Sequence, residues 1–146
     1  MTDAKKHLQQ IRLYDSRINA KLAERDRLKA MLTKITPTLR DDAVSGGHGS
    51  RDKLSDAVAK IVDLEAEIDR EIDSFVDARN TVTRTIDSVE DERLHRVLAG
   101  RYIQCKTWEQ IACDMGRSYQ WVCKLHGTAL QEVDKILKES EKICNS

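Results

Sequence analysis

Apolar side chains recur at steps of three and four through most of the first ninety positions. Leu8, Ile11, Ile18, Leu22, Leu32 and Ile35 fall on one helical stripe, with Asp15, Arg25 and Lys29 at the intervening seam positions and Leu28 beside them. That spacing predicts an amphipathic helix over about 3–35. Thr36-Pro37-Thr38 follows; proline lacks an amide and restricts its predecessor, so the helix is expected to stop there. Ser45-Gly46-Gly47-His48-Gly49-Ser50 extends the break, giving a loop over 36–50. From Arg51 the pattern resumes more strongly. Leu54, Val58, Ile61, Ile68, Ile72, Phe75, Val82, Ile86 and Val89 keep a 3/4 alternation, interrupted only at Glu65 and Arg79, which is a coiled-coil signal.

At 1.5 Å per residue the first helix would be roughly 50 Å long and the second, over about 51–90, roughly 60 Å. Two helices of similar length joined by one loop predict an antiparallel, coiled-coil-like hairpin. Two narrow stripes bury little surface, and polar seam residues are easiest to place against another chain. A homodimer is therefore expected, with Leu54, Val58, Ile61, Ile68, Ile72, Phe75, Val82 and Ile86 as the oligomerisation face. A free-standing intramolecular hairpin is the competing arrangement.

Past Glu90 the coiled-coil period lapses, and Tyr102, Trp108, Tyr119 and Trp121 supply aromatic residues for a small core. Thr107 and Gln110 form a Thr-x-x-Gln capping box that starts a helix, and Gly116 supplies the left-handed residue that ends it. Ser118 is a second N-cap, followed by Val122, Leu125, Ala129, Leu130, Val133, Ile136 and Leu137 on one face of a helix to about Lys138. Two helices separated by a short turn containing glycine are the helix-turn-helix unit. The predicted fold is all-α: a helical hairpin over 1–90, then a helix-turn-helix domain over 91–146.

Charge refines this division. The 146 residues carry 25 Lys and Arg against 25 Asp and Glu, so the net charge is zero. Residues 1–50 nevertheless hold 10 basic and 6 acidic side chains, residues 51–92 hold 6 and 13, and residues 93–146 hold 9 and 6. Between Arg93 and His126 the balance is 6 to 2, a local excess of +4 where the helix-turn-helix lies. This is the electrostatic footprint expected of a nucleic-acid binder, absent from the chain as a whole.

Other chemistry is thinly represented. No apolar run approaches the roughly 18 residues of a membrane helix, and no signal-peptide core follows the N-terminus, so no membrane partner and a cytoplasmic location are expected. Cys105, Cys113, Cys123 and Cys144 contain no Cys-x-x-Cys pair; they are expected to be reduced thiols without a metal site. There is no phosphate-binding glycine loop, no HExxH and no recognisable nucleophile setting, so neither an enzyme nor a cofactor is expected. Gly46-Gly47-His48-Gly49 lacks the Lys-Ser/Thr that would cradle phosphates and reads as a hinge.

Arg101-Tyr102-Ile103, Thr107-Trp108-Glu109-Gln110-Ile111-Ala112, Met115-Gly116-x-Ser118 and Leu125-His126-Gly127-x-Ala129-Leu130 together resemble the helix-turn-helix of sigma-70 region 4. They are more similar still to its relatives in phages and prophages of Gram-positive bacteria, the ArpU/RinA-type late-gene transcription regulators. Lys34-Ile35-Thr36-Pro37-Thr38-Leu39 and Asp52-Lys53-Leu54-x-x-Ala57-Val58 are similar to a phage family of uncharacterised proteins that end in this same domain. The resemblance implies a DNA-binding regulator of transcription in a bacterial host cell, with bacterial RNA polymerase as a further partner. The second helix here carries less arginine than sigma-like reading helices do, which lowers the affinity expected of one copy.

In a helix-turn-helix the exposed start of the second helix enters the major groove of double-stranded DNA while the first crosses the backbone. By position Tyr119, Gln120, Cys123 and Lys124 would read bases, with Gln120 suited to adenine and Lys124 to guanine. Lys106, Thr107, Arg117, Ser118 and His126 would contact phosphates. A dimer placing two readers on half-sites about 34 Å apart would compensate for weak single contacts. Tyr119 and Trp121 can instead pack against the arm, and Arg93, Arg96 and Arg101 can pair with the acidic cluster at 87–92. Two other functions also fit the sequence: a DNA-recognition subunit of phage packaging machinery, which predicts a ring, and an adaptor that docks on polymerase or another regulator.

Overall fold

The computed structural model describes residues 3–41 and 48–145, with side chains described outside 35–50. The fold is all-α, and no strand occurs among the described residues. The helices are α1 (Asp3–Leu8), α2 (Gln10–Asp41), α3 (His48–Asp87), α4 (Glu92–Leu98), α5 (Trp108–Met115) and α6 (Tyr119–Cys144), with a π-helical turn at Ala99–Ile103.

The break expected over 36–50 is shorter than the sequence pattern suggested. α2 continues through Pro37 to Asp41 and α3 begins at His48; the rest of the expected hinge, 42–47, lies outside the described residues. Proline's fixed φ is itself helical, and near a helix end the ring removes a single backbone hydrogen bond, so it need not terminate the helix. Glycine and serine at the start of α3 are likewise tolerated within a first turn, where the amides have no intrahelical partner in any case.

The chain divides into two compact units, Met1–Tyr14 with Phe75–Ser146, and Asp15–Ser74. These bounds do not coincide with the boundary expected at residue 90. Within 15–74, α2 and α3 run antiparallel: Lys21 Nζ lies 3.1 Å from Glu71 Oε1 and 3.6 Å from Glu67 Oε2, and Lys29 Nζ lies 3.2 Å from Glu65 Oε1. Such partly exposed pairs are each worth only about 0–1 kcal/mol and set register more than stability. Leu28, Ala57, Ile61 and Ile68 are buried between the helices, whereas Met31, Val58, Val62 and Ile72 are exposed.

The other unit holds most of the core. Ala4, Leu8 and Ile11 from the N-terminus, Val82, Ile86 and Val89 from the end of α3, Leu94 and Leu98 of α4, Tyr102, and Ala129 and Val133 of α6 form one cluster. A second, of Val97, Ile111, Ala112 and Val122, packs with Trp108, Met115 and Trp121, and Leu125 touches both. Residues 91–146 alone could not cover the apolar faces of α4 and α6. Side chains from far upstream complete the cover, which explains why the compact unit reaches back to include them. The Asp134 carboxylate accepts a bond from the Ala4 amide at 3.1 Å, and His7 Nε2 and Thr85 Oγ1 share a hydrogen bond at 2.9 Å.

This packing corrects the expected oligomerisation face. Ile61, Ile68, Val82 and Ile86 are buried within the chain, Phe75 packs at the edge of the main core, and Leu54 is half-buried. Of that set, Val58 and Ile72 are exposed. A 3/4 stripe reports that a helix face is covered but not by which chain. Here much of it is covered by α2 and, farther along, by α1, α4 and α6.

Candidate functional site

The site is built from the junction that leads α4 into α5 and α6. Asp91 caps α4, its carboxylate accepting from the Arg93 amide at 2.9 Å. The π-helical turn then lets Gly100 approach α5 so closely that a Cβ there would sit 3.2 Å from Ile111 Cγ1. Cys105 reverses the chain at φ 55°, a left-handed conformation costly for a residue with a side chain. Thr107 starts α5 with a complete capping box: its Oγ1 accepts from the Gln110 amide at 3.2 Å, while Gln110 Oε1 accepts from the Thr107 amide at 2.9 Å.

α5 ends at Gly116, with φ 64° and ψ 35°, and Ser118 begins α6 by accepting from the Trp121 amide at 3.1 Å. Both caps and the left-handed glycine occupy the positions their sequence signals predict. Arg117, between them, lays its guanidinium over the Trp121 ring at 5.1 Å, a geometry that orders a side chain otherwise free to sweep through solvent. Trp121 itself is half-buried against the cluster of Val97, Ile111, Ala112 and Val122.

Tyr119, Gln120 and Lys124 are exposed on the first turns of α6, and Cys123 is half-buried beside them. The Cys123 thiol raises the Tyr119 phenol above its ordinary pKa, so Tyr119 is a neutral hydrogen-bonding group at physiological pH. Lys124 forms no ion pair among the described residues. Between Asp114 and Glu132 the chain carries no acidic side chain, so the first turns of α6 bring none of their own; Glu109 of α5 is the acid whose charge reaches Tyr119. Gly127 and Thr128 lie one turn further along and are also exposed.

The residues expected at phosphates separate into two groups. Arg117, Thr107 and Ser118 stand exposed around the turn. Lys106 is committed to Asp114, Nζ to Oδ2 2.6 Å, which spends its charge within the protein. His126 does not join the exposed set. Its Nε2 shares a 2.6 Å hydrogen bond with Tyr102 Oη, and its ring stands edge-on to Trp108 at 4.5 Å. Burial, reinforced by the charges of Lys5 and Arg101, pushes its pKa down to about 4, so it is a neutral packing residue and not a cation for phosphate. The resemblance-bearing string Leu125-His126-Gly127 gave no sign of this, because the partners lie more than a dozen residues upstream.

Arg101 is the residue whose importance the sequence understated. Its guanidinium sits 4.5 Å over the Trp108 ring and Nη1 donates to the Lys106 carbonyl at 3.1 Å. Arg93 pairs loosely with Asp91 at 3.5 Å, and His95 with Asp87 at 3.0 Å, whereas Arg96 is exposed without an ion pair among the described residues. All four cysteines are free thiols. No helix among the described residues is long and apolar enough to cross a membrane.

Residues 33–134 match the family described as "Protein of unknown function (DUF1492)". No curated protein and no solved structure matches the chain. The match takes in the end of α2, all of α3 to α5 and the first part of α6, and therefore the entire candidate surface; the chain belongs to the DUF1492 family.

Proposed function

We propose that this chain is a sequence-specific DNA-binding regulator of transcription, of phage or prophage origin, acting in the bacterial cytoplasm and reading the major groove with the start of α6. The observation that carries this reading is the exposed surface formed by Arg117, Tyr119, Gln120 and Lys124 on a capped two-helix unit, in a stretch between Asp114 and Glu132 with no acidic residue of its own. An α-helix fits the major groove, and Gln and Lys on its first turns reach base edges there. Thr107 and Ser118 begin α5 and α6, and first-turn amides of such helix starts suit phosphates. Bacterial RNA polymerase is a further partner in this reading. Two copies associated through the apolar positions left exposed on residues 15–74 would supply the second half-site.

Paired substitutions test it. Lys124→Ala should relax preference at one base pair, at a cost of about 1–3 kcal/mol of discrimination. Arg117→Ala should weaken all sequences alike and reduce the salt slope by about 1. Unchanged binding by both variants, measured by fluorescence anisotropy, would contradict the groove assignment.

One observation favours a second reading. The Lys106–Asp114 pair neutralises a cation beside the turn, which suits an adaptor that docks on polymerase better than a strong DNA binder. Retention of polymerase without retention of duplex DNA would support that alternative.

A further inference from the structure

Both tryptophans of the chain carry an arginine on the ring, but the two arginines are held differently. Arg101 lies 4.5 Å over Trp108 and also donates Nη1 to the Lys106 carbonyl at 3.1 Å, so ring and backbone together tie it into the fold. Arg117 lies 5.1 Å over Trp121, and among the described residues that ring is what its side chain rests on. Asp114, the acid nearest to Arg117 in sequence, is bonded to Lys106 at 2.6 Å instead.

Both halves of the Arg117–Trp121 pair are fixed at the backbone. Gly116 turns the chain at φ 64°, the Arg117 amide donates to the Ala112 carbonyl at 3.0 Å, and Ser118 Oγ accepts from the Trp121 amide at 3.1 Å. The Trp121 ring is seated on the cluster of Val97, Ile111, Ala112 and Val122. What is left to move is the exposed arm of Arg117, and the ring restricts it. A long side chain that is already ordered has less rotamer freedom to lose when it meets a ligand. Stacking occupies the face of a guanidinium and leaves its edge N–H donors for a bidentate oxyanion, so the ring contact and a phosphate contact are compatible.

We infer that Trp121 is a positioning residue for DNA binding: its ring holds Arg117 pre-ordered for a backbone phosphate at the turn between α5 and α6. This rests on the DNA-binding reading above and gives a side chain that otherwise serves the core a part in affinity. Trp121 acts through a phosphate contact, which carries no base information, so it leaves sequence preference alone.

The test is a double-mutant cycle on the full chain, titrated with a mixed-sequence duplex between about 50 and 200 mM salt. Trp121→Leu is expected to weaken binding about threefold, the size of an exposed cation–ring contact. The salt slope should stay at the wild-type value, because Arg117 keeps its charge. In an Arg117→Ala background the same substitution should cost nothing further, and Trp121→Phe, which keeps a ring, should retain most of the wild-type affinity. Thermal melts show whether each variant folds; should Trp121→Leu fail to fold, Trp121→Met, a flexible apolar replacement, takes its place with the same expectations. An equal loss in both backgrounds would overturn the inference, since the ring would then act through the fold and not through Arg117. Unchanged affinity in the folded single variant would overturn it as well, and a base preference still relaxed by Lys124→Ala would leave the reading helix standing in either case. Absence of duplex binding by the wild-type chain would remove both.

Discussion

His126 shows how one side chain's surroundings decide its chemistry. On the sequence it lies two positions after Lys124 on the reading helix and resembles a phosphate contact, yet it packs against Tyr102 and Trp108 and burial holds it neutral. The folded protein takes up this proton only near pH 4, whereas the unfolded chain does so near the ordinary value of about 6.5. Acidification across that window therefore favours the unfolded state, and above about pH 6.5 the residue contributes no pH dependence. His7, half-buried against Thr85 and lowered by burial, acts in the same direction. Chemical denaturation at pH 7 and pH 5 should show wild type losing stability, with His126→Gln losing less; equal slopes would contradict the burial argument. Two backbone positions give predictions of opposite sign. Gly116→Ala places a Cβ at φ 64° and should cost about 1–2 kcal/mol, while Cys105→Gly relieves the same strain at φ 55° and should be neutral or stabilising. Both are read from thermal melts.

At the scale of elements, legibility followed sequence distance. The starts of α5 and α6 and the end of α5 could be placed from the sequence because Thr107, Gln110, Gly116 and Ser118 act on amides and carbonyls within a few residues of themselves. The π-helical turn and the left-handed Cys105 had no such signal; Gly100 of that turn lies against Ile111, a residue of the next helix, and no local side chain marks either feature. The apolar stripe of α3 could be read as a stripe, but what covers it is a matter of tertiary contact: Val82 and Ile86 meet residues from both ends of the chain. The cap assignments predict that Thr107→Ala and Ser118→Ala each cost about 1 kcal/mol, while Thr107→Ser is nearly neutral. Since both caps also border the site, a loss of DNA affinity larger than the stability change would separate a phosphate role from a purely structural one.

For the whole molecule, the N-terminal residues are part of the unit that contains α6. Ala4, Leu8 and Ile11 are buried there at 2% exposure or less, and the Ala4 amide bonds to Asp134. Leu8→Ala should destabilise that unit by about 2–5 kcal/mol, even though it lies more than a hundred residues from the reading helix. Self-association, where it occurs through 15–74, must use the apolar positions the chain leaves open. Val58→Glu with Ile72→Glu should shift a dimer to monomer in sedimentation without lowering the melting temperature of the monomer, because both side chains are more than 40% exposed. A homodimer reading two half-sites would then lose much of its DNA affinity, through lost bivalency and not through any change at α6.

The most direct measurement is selection from a pool of random duplex DNA with the purified full chain, repeated at two salt concentrations. Enrichment of a defined motif is expected, arranged as an inverted repeat with centres about 34 Å apart, that survives the higher salt better than the bulk pool does. Retention without any enriched motif, erased by the higher salt, would contradict sequence reading by α6.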